Sequence, residues 1–205
     1  MYRRYVKRFL DIIVSLASII VLSPIMLVIA VLVRINLGSP IIFTQKRAGL
    51  HGKVFTLYKF RSMTNEVDEQ GELLSNKQRL TRFGKMLRST SMDELPELFN
   101  ILMGDMSLIG PRPLLEEYLP RYNDEQMKRH SVRPGLTSLT AVNGRASLSW
   151  DERLSMDVWY VKNVSVFLDC KILIKTIVTV FKRENISSNR GKFMGSSKEN
   201  ESKSI

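Results

Sequence analysis

Cysteine is nearly absent from this 205-residue chain. Cys170 stands alone, which excludes a disulfide framework, a cysteine-based zinc site and a redox CxxC pair. Histidine is almost as scarce: His51 and His130 are isolated, so neither a histidine-rich metal centre nor an HExxH helix can form, and any metal would be held by carboxylates. Acidic residues are missing from the first 65 positions apart from Asp11, against ten Lys and Arg there, so the net charge of +11 is concentrated near the N-terminus. There is no internal repeat and no Walker loop, because Gly49-Leu50-His51-Gly52-Lys53-Val54 has too short a gap and lacks the Ser or Thr. The basic residues are dispersed and thinly interleaved with aromatics, which argues against a nucleic-acid partner.

What the chain does have is a long apolar run. Phe9 to Val33 (FLDIIVSLASIIVLSPIMLVIAVLV) carries Asp11 as its one ionisable group and is long enough to span a bilayer, which takes roughly 20 residues. A cleaved signal peptide fits poorly, since its apolar region is shorter and ends at a small-residue site. Two membrane readings compete. Pro24 removes a backbone donor at the middle of the run, and the Ser23 hydroxyl can serve the groups so freed, which gives a kinked single-pass helix. Alternatively, the basic flanks (Arg3, Arg4, Lys7 and Arg8 before; Arg34, Lys46, Arg47 and Lys53 after) place both ends in the cytoplasm, which requires a re-entrant hairpin broken at Ser23-Pro24. Its arms, 9–22 and 25–33, are roughly 21 and 14 Å long at ~1.5 Å per residue, each too short for a ~30 Å core.

Beyond Arg34 the pattern predicts a β-hairpin from PIIFTQKR (40–47) and KVFTLYKFRSM (53–63), a polar loop over 65–77, and helices over 78–89, 92–103, 114–130 and 150–183. GDMSLIGPRPLL reads as a loop. In the last helix Ile172, Leu173, Ile177, Val180 and Phe181 share a face that suits either an anionic membrane surface or a protein core. From Glu184 the tail has no periodicity.

Chemistry concentrates in Arg88-Ser89-Thr90-Ser91-Met92-Asp93-Glu94-Leu95-Pro96. One reading is structural: Ser91 and Glu94 form a capping box. The other is functional: adjacent carboxylates beside Arg88 can supply a nucleophile, a base and a Mg²⁺ ligand, with Pro96 marking the true helix start and leaving Asp93 and Glu94 on the entering loop. In Gly110-Pro111-Arg112-Pro113 two prolines fix the backbone around one arginine, which suits a diphosphate or a plain loop corner. Lys59, Arg61, Arg133 and Arg145 are further cations able to meet phosphates.

Together these segments resemble the bacterial sugar transferases known as small monotopic phosphoglycosyl transferases. The matching residues are Lys7-Arg8, Asp11, Ser23-Pro24, PIIFTQKRAGLHGKVFTLYKFRSM, RSTSMDELPELFNILMGDMSLIGPRP and RPGLTSLTAVNGR, within residues 1 to about 183. The run ELL…QRL…FGK is most similar to members that start bacterial N-linked protein glycosylation. The resemblance implies an α+β fold: a re-entrant membrane helix-break-helix hairpin over 1–37 and a small, mainly helical cytoplasmic domain over 38–183 with a short β-hairpin and interfacial amphipathic helices; the unpatterned, polar 184–205 is expected to be a disordered tail. It implies transfer of a sugar 1-phosphate from a UDP-sugar to undecaprenyl phosphate at the cytoplasmic leaflet of the bacterial inner membrane, with release of UMP. Asp93 is then the nucleophile and Mg²⁺ ligand, and Glu94 its dyad partner. Lys59, Arg88, Pro111, Arg112, Pro113 and Arg145 surround the substrate, with a cis bond expected at the proline turn, and Asp157 supports the site. Downstream glycosyltransferases are implied partners, and apolar residues beside the anchor suit a homodimer or the bilayer. UDP-bacillosamine, UDP-N-acetylglucosamine and UDP-galactose are all eligible donors. Ser138 and Ala141 stand where the family has Gly and Gln, so a catalytically silent, membrane-anchored lipid-binding or scaffold module is the alternative. A phosphatase with an aspartyl-phosphate intermediate lacks its DxD motif.

Overall fold

The computed structural model describes residues 2–144 and 148–182. A π-helical turn at Tyr2–Val6 leads into one long helix, α1 (Lys7–Leu37), the single described helix long and apolar enough to cross a membrane by length and composition. Pro24 lies inside α1, so the sequence-predicted break at Ser23-Pro24 is not an interruption of the helix. The physical reason is local. Proline deprives the Ile20 carbonyl of its helical donor, and the Ser23 hydroxyl donates to that same oxygen at 2.8 Å.

One stripe of α1 is buried along its length: Lys7, Asp11 and Ser15 early, Ile19, Leu22 and Met26 partly, then Ile29 and Val33. The spacing of three or four residues is one face of a helix. Asp11 accepts from the Leu108 amide (3.0 Å) and Ser107 hydroxyl (3.1 Å), and the Arg8 guanidinium caps the carbonyls of Ile101 and Leu102. Lys7 pairs with Asp169 at 2.6 Å, where Tyr2 and Tyr160 also donate. Farther along, Ile29 and Val33 meet Phe60 and Leu87.

The expected hairpin is present as β1 (Ile42–Ala48) and β2 (Val54–Phe60), antiparallel with Ile42 opposite Phe60 and Ala48 opposite Val54. Two short helices follow, α2 (Asn76–Arg79) and α3 (Arg82–Ser89). A single 3-10 turn at Met92–Glu94 precedes α4 (Glu97–Met103), so Pro96 does mark the helix start and the Ser91 capping box does not form: Ser91 sits at φ +56° and its side chain caps nothing. Asn100, fully buried, fastens α4 to β2 by accepting from the Tyr58 amide (3.0 Å) and donating to the Thr56 carbonyl (2.8 Å).

The predicted loop GDMSLIGPRPLL instead contains β3 (Ser107–Ile109), paired in parallel with β4 (Gly135–Thr137). The single helix expected over 114–130 is replaced by a 3-10 segment, the short α5 (Asp124–Met127) and another 3-10 turn, since Pro120 and the Asn123 cap divide it. After α6 (Leu139–Val142), the region 150–183 is two helices, α7 (Trp150–Lys162) and α8 (Val166–Lys182), separated at Asn163. On α8 only Ile172 of the described apolar residues is fully buried, while Phe167, Ile174 and Ile177 are exposed, which disfavours the core-helix reading.

Gly84 is required by close approach: a Cβ there would lie 1.9 Å from the Ser62 carbonyl oxygen. Gly84→Ala is expected to destabilise the protein by about 1–3 kcal/mol, a drop of several degrees in a thermal melt in detergent.

Candidate active site

Between the hairpin, the 3-10 turn, the loop after β3 and α7 lies a cavity of about 680 Å³. Its lining includes the cations Arg47, Lys59, Arg61, Arg79, Arg88, Arg112, Arg129 and Arg153, but only three carboxylates, Asp93, Glu94 and Asp157. Such an excess of fixed positive charge in a partly closed space suits a polyanion.

Asp93 and Glu94 are neighbours in sequence with opposite surroundings. Asp93 is 8% exposed, and its carboxylate accepts no hydrogen bond from the described residues. Burial and the nearby Glu94 push its carboxyl up, opposed by Lys59, Arg88 and Arg112. Glu94 is clamped: the Lys59 ammonium lies 2.7 Å and the Arg112 guanidinium 2.5 Å from the same oxygen. Burial alone would raise Glu94, but Arg112 and Lys59 overcome it and hold the carboxyl well below the usual range. Strand alternation explains Lys59, which continues the face of Phe55 and Leu57 that looks onto α4.

Arg112 is placed from behind. Its carbonyl accepts from Arg129 (2.7 Å), and Arg129 is itself bound to Asp157 by Nε (3.1 Å) and a terminal nitrogen (2.7 Å). Asp157 thus lines the cavity and holds the arginine that grips the Arg112 backbone. Pro111 and Pro113 are buried and do not line it, and the one cis bond among the described residues is Ser39–Pro40, so the proline turn is trans. Arg88 faces the cavity with its Nε on the Ser62 hydroxyl at 2.8 Å. Arg145 lies outside the described residues.

Two cations noted in the sequence serve the backbone. Arg61 lines the cavity but donates to the carbonyls of Leu37 and Ser39, and Arg133 donates to Gly104 at 2.7 Å away from the cavity. Ser138 needs no glycine: at φ −148° it is ordinary extended backbone, and its hydroxyl caps α6 by accepting from the Ala141 amide. His130 is buried against the Gly49 carbonyl and pushed down to about 4 by burial, consistent with a structural group.

Sequence reasoning missed Arg47, Arg129 and Glu97. Arg47 counted as a membrane-flanking charge, yet it reaches the Pro113 carbonyl and Gln45. Glu97, 3% exposed, shares Lys59 with Glu94 at 2.9 Å. A Mg²⁺ ion takes one or two carboxylates plus water and substrate phosphates. Asp93 with its free oxygens fits that role, and among the described residues no cluster of three or more His, Cys, Asp or Glu offers an all-protein cage.

Beside the cavity an apolar depression of about 500 Å³ is walled by Met26 and Leu27 of α1, Ile42, Tyr58 and Phe60 of the hairpin, Phe99 and Met103 of α4, and Pro96 just before it.

Residues 2–183 match the family model described as bacterial sugar transferase. The chain belongs to the bacterial sugar transferase family. It is 49% identical over 180 residues to the uncharacterized sugar transferase EpsL of Bacillus subtilis, covering 88% of this chain and 89% of that one. It is 40% identical to the undecaprenyl-phosphate galactose phosphotransferase of Salmonella typhimurium over 88% of this chain and 41% of that protein. Identity to the UDP-glucose:undecaprenyl-phosphate glucose-1-phosphate transferase of Klebsiella pneumoniae is 42%, over 86% of this chain and 39% of that one. The chain thus spans about four tenths of these two larger relatives.

The Arg129–Asp157 pair gives a stability test of the cavity's inner wall. Asp157→Ala leaves a buried cation unpaired and is expected to cost about 3–5 kcal/mol, whereas Arg129→Met with Asp157→Leu recovers much of it; thermal melts of both variants measure the difference.

Proposed function

We propose that the protein moves a sugar 1-phosphate from a UDP-sugar to undecaprenyl phosphate, releasing UMP, through a covalent aspartyl phospho-sugar on Asp93. The observation that carries the reading is the contrast within the dyad: a free, buried carboxylate beside a clamped one at a cation-lined cavity. Relatives named as undecaprenyl-phosphate sugar transferases support the substrate class.

In the first step an Asp93 oxygen attacks the phosphorus joined to the sugar. The bond from that phosphorus to the bridging oxygen breaks, and its electron pair leaves with UMP. Arg112, Lys59 and Arg88 meet the charge that develops on the phosphate oxygens. Mg²⁺, held by Asp93 and the phosphates, supplies further charge neutralisation when bound. As Lys59 turns to the phosphates, Glu94 keeps Arg112 but loses one of the two contacts that hold its proton affinity low, and so becomes a stronger base for the incoming lipid phosphate. An oxygen of undecaprenyl phosphate then attacks the same phosphorus and expels the Asp93 carboxylate, giving the sugar-linked polyprenyl diphosphate.

The lengthwise seat of α1 supports a monotopic arrangement, because residues near both of its ends contact the same domain. Basic residues at both flanks favour placing those ends in the cytoplasm. The outward faces of α1 and α8 carry exposed Phe9, Val21, Leu27, Phe167 and Ile174, suited to lipid. The apolar depression opens among α1, the hairpin and α4 and suits the polyprenyl chain. Ser138 and Ala141, on which the silent-module alternative rested, form a regular capped turn.

Purified protein given a panel of UDP-sugars and Mg²⁺ without acceptor is expected to gain, with one donor, a mass equal to phospho-sugar on Asp93 and to release UMP. Asp93→Asn loses both, while equal background in both proteins across the panel would sink the reading. Phe99→Glu in the depression is expected to raise KM for undecaprenyl phosphate at least several-fold and leave that for the UDP-sugar unchanged, as steady-state kinetics would show.

A further inference from the structure

The buried carboxylate of Glu97 has no part in the reaction above. We propose that Glu97 is a positioning residue that competes with the donor's diphosphate for Lys59, so that binding of the donor takes up a proton. The inference rests on reading the cavity as a diphosphate site.

Glu97 stands in the first turn of α4 and, unlike its neighbour in the dyad, does not line the cavity. It reaches the site through Lys59, whose ammonium lies 2.9 Å from Glu97 and 2.7 Å from Glu94. An ammonium has three donors, so with two spent on carboxylates one is left for a phosphate oxygen. Releasing a second requires Glu94 or Glu97 to let go. Glu94 keeps Arg112 as a second cation, whereas Lys59 is the only cation with a direct ion pair to Glu97 among the described residues. Glu97 is therefore the carboxylate whose charge is left uncompensated when Lys59 turns to substrate.

The charged groups around Glu97 point the same way. Lys59 on β2 and Arg112 in the loop after β3 favour its ionised form, Arg47 on β1 lies within electrostatic reach, and Glu94 opposes ionisation. The remaining neighbour, α1, brings Arg8 only to the far end of α4, at the carbonyls of Ile101 and Leu102. Burial dominates and pushes Glu97 up to about 7, so the group is poised between its two states near neutral pH. A diphosphate that draws Lys59 away adds negative charge nearby and raises Glu97 further. The sign follows from linkage. Below about pH 7 Glu97 is already neutral and binding is indifferent to pH; above it the free protein must bind a proton, and affinity falls by up to about tenfold per pH unit.

Calorimetric titration with UDP-glucose, UDP-galactose and UDP-N-acetylglucosamine between about pH 6 and 9, in buffers of different ionisation enthalpy, tests this. These donors lack the phosphate monoester whose second ionisation falls near about 6. The expected result is a Kd that rises above pH 7 with uptake approaching one proton, and a flat Kd with no uptake in Glu97→Gln, whose amide oxygen can still accept from Lys59. A flat profile in the unaltered protein overturns the proposal without recourse to any variant, as does a profile that Glu97→Gln leaves unchanged. If none of the three nucleotides binds the unaltered protein, the diphosphate reading of the cavity falls first and this inference with it.

Discussion

The carboxylate of Glu94 is where the separate parts of the fold converge. It sits in a single 3-10 turn, yet its two cations come from distant chain segments: Lys59 from β2 and Arg112 from the loop after β3. Each cation is held in turn. Lys59 rides on a strand that Asn100 fastens to α4, and Arg112 has its backbone gripped by Arg129, which Asp157 of α7 holds. A buried carboxylate is costly unless paired. Here the pairing lies in the wall of the cavity, so that one charged group doubles as the joint between the hairpin, the 3-10 turn and the loop after β3.

That arrangement leaves Asp93 free. With Glu94 absorbing the nearest cations, the adjacent carboxylate is buried among positive charges without being hydrogen-bonded to any described residue. The two roles in the proposed reaction are thus separated by environment, not by residue type. Membrane and chemistry are separated in a similar way. One stripe of α1 completes the protein core while its other faces stay apolar and exposed, so a single helix serves as a core element and still presents the faces that the proposed membrane seat would use.

Much of this was legible in the sequence where a local rule governs. The hairpin follows from two β-rich runs around Gly49 and Gly52, and Asp93, Glu94, Arg112 and Lys59 lie in the segments that carried the family resemblance and do meet at one cavity. Where two local rules conflicted at Ser91 and Pro96, the sequence left the answer open and proline prevailed, since its φ suits a helix start. Other features were hidden because they exist only in three dimensions. Strands β3 and β4 are three residues each, too short for any periodicity, and pair across more than twenty intervening residues. Arg47 and Arg129 act on backbone carbonyls that no spacing predicts, and Glu97 became notable only when Lys59 proved to be shared.

The ion pair between Lys7 and Asp169 joins residues 162 positions apart, from the first described helix to the last. A ribosome makes α1 long before α8, so the nascent helix must wait with Lys7 lacking its carboxylate and Asp11 lacking the Ser107 and Leu108 donors. Until then the charges on its inner stripe lack the partners that fix the helix to the rest of the fold, so its seat is completed only when the last described helix has been made.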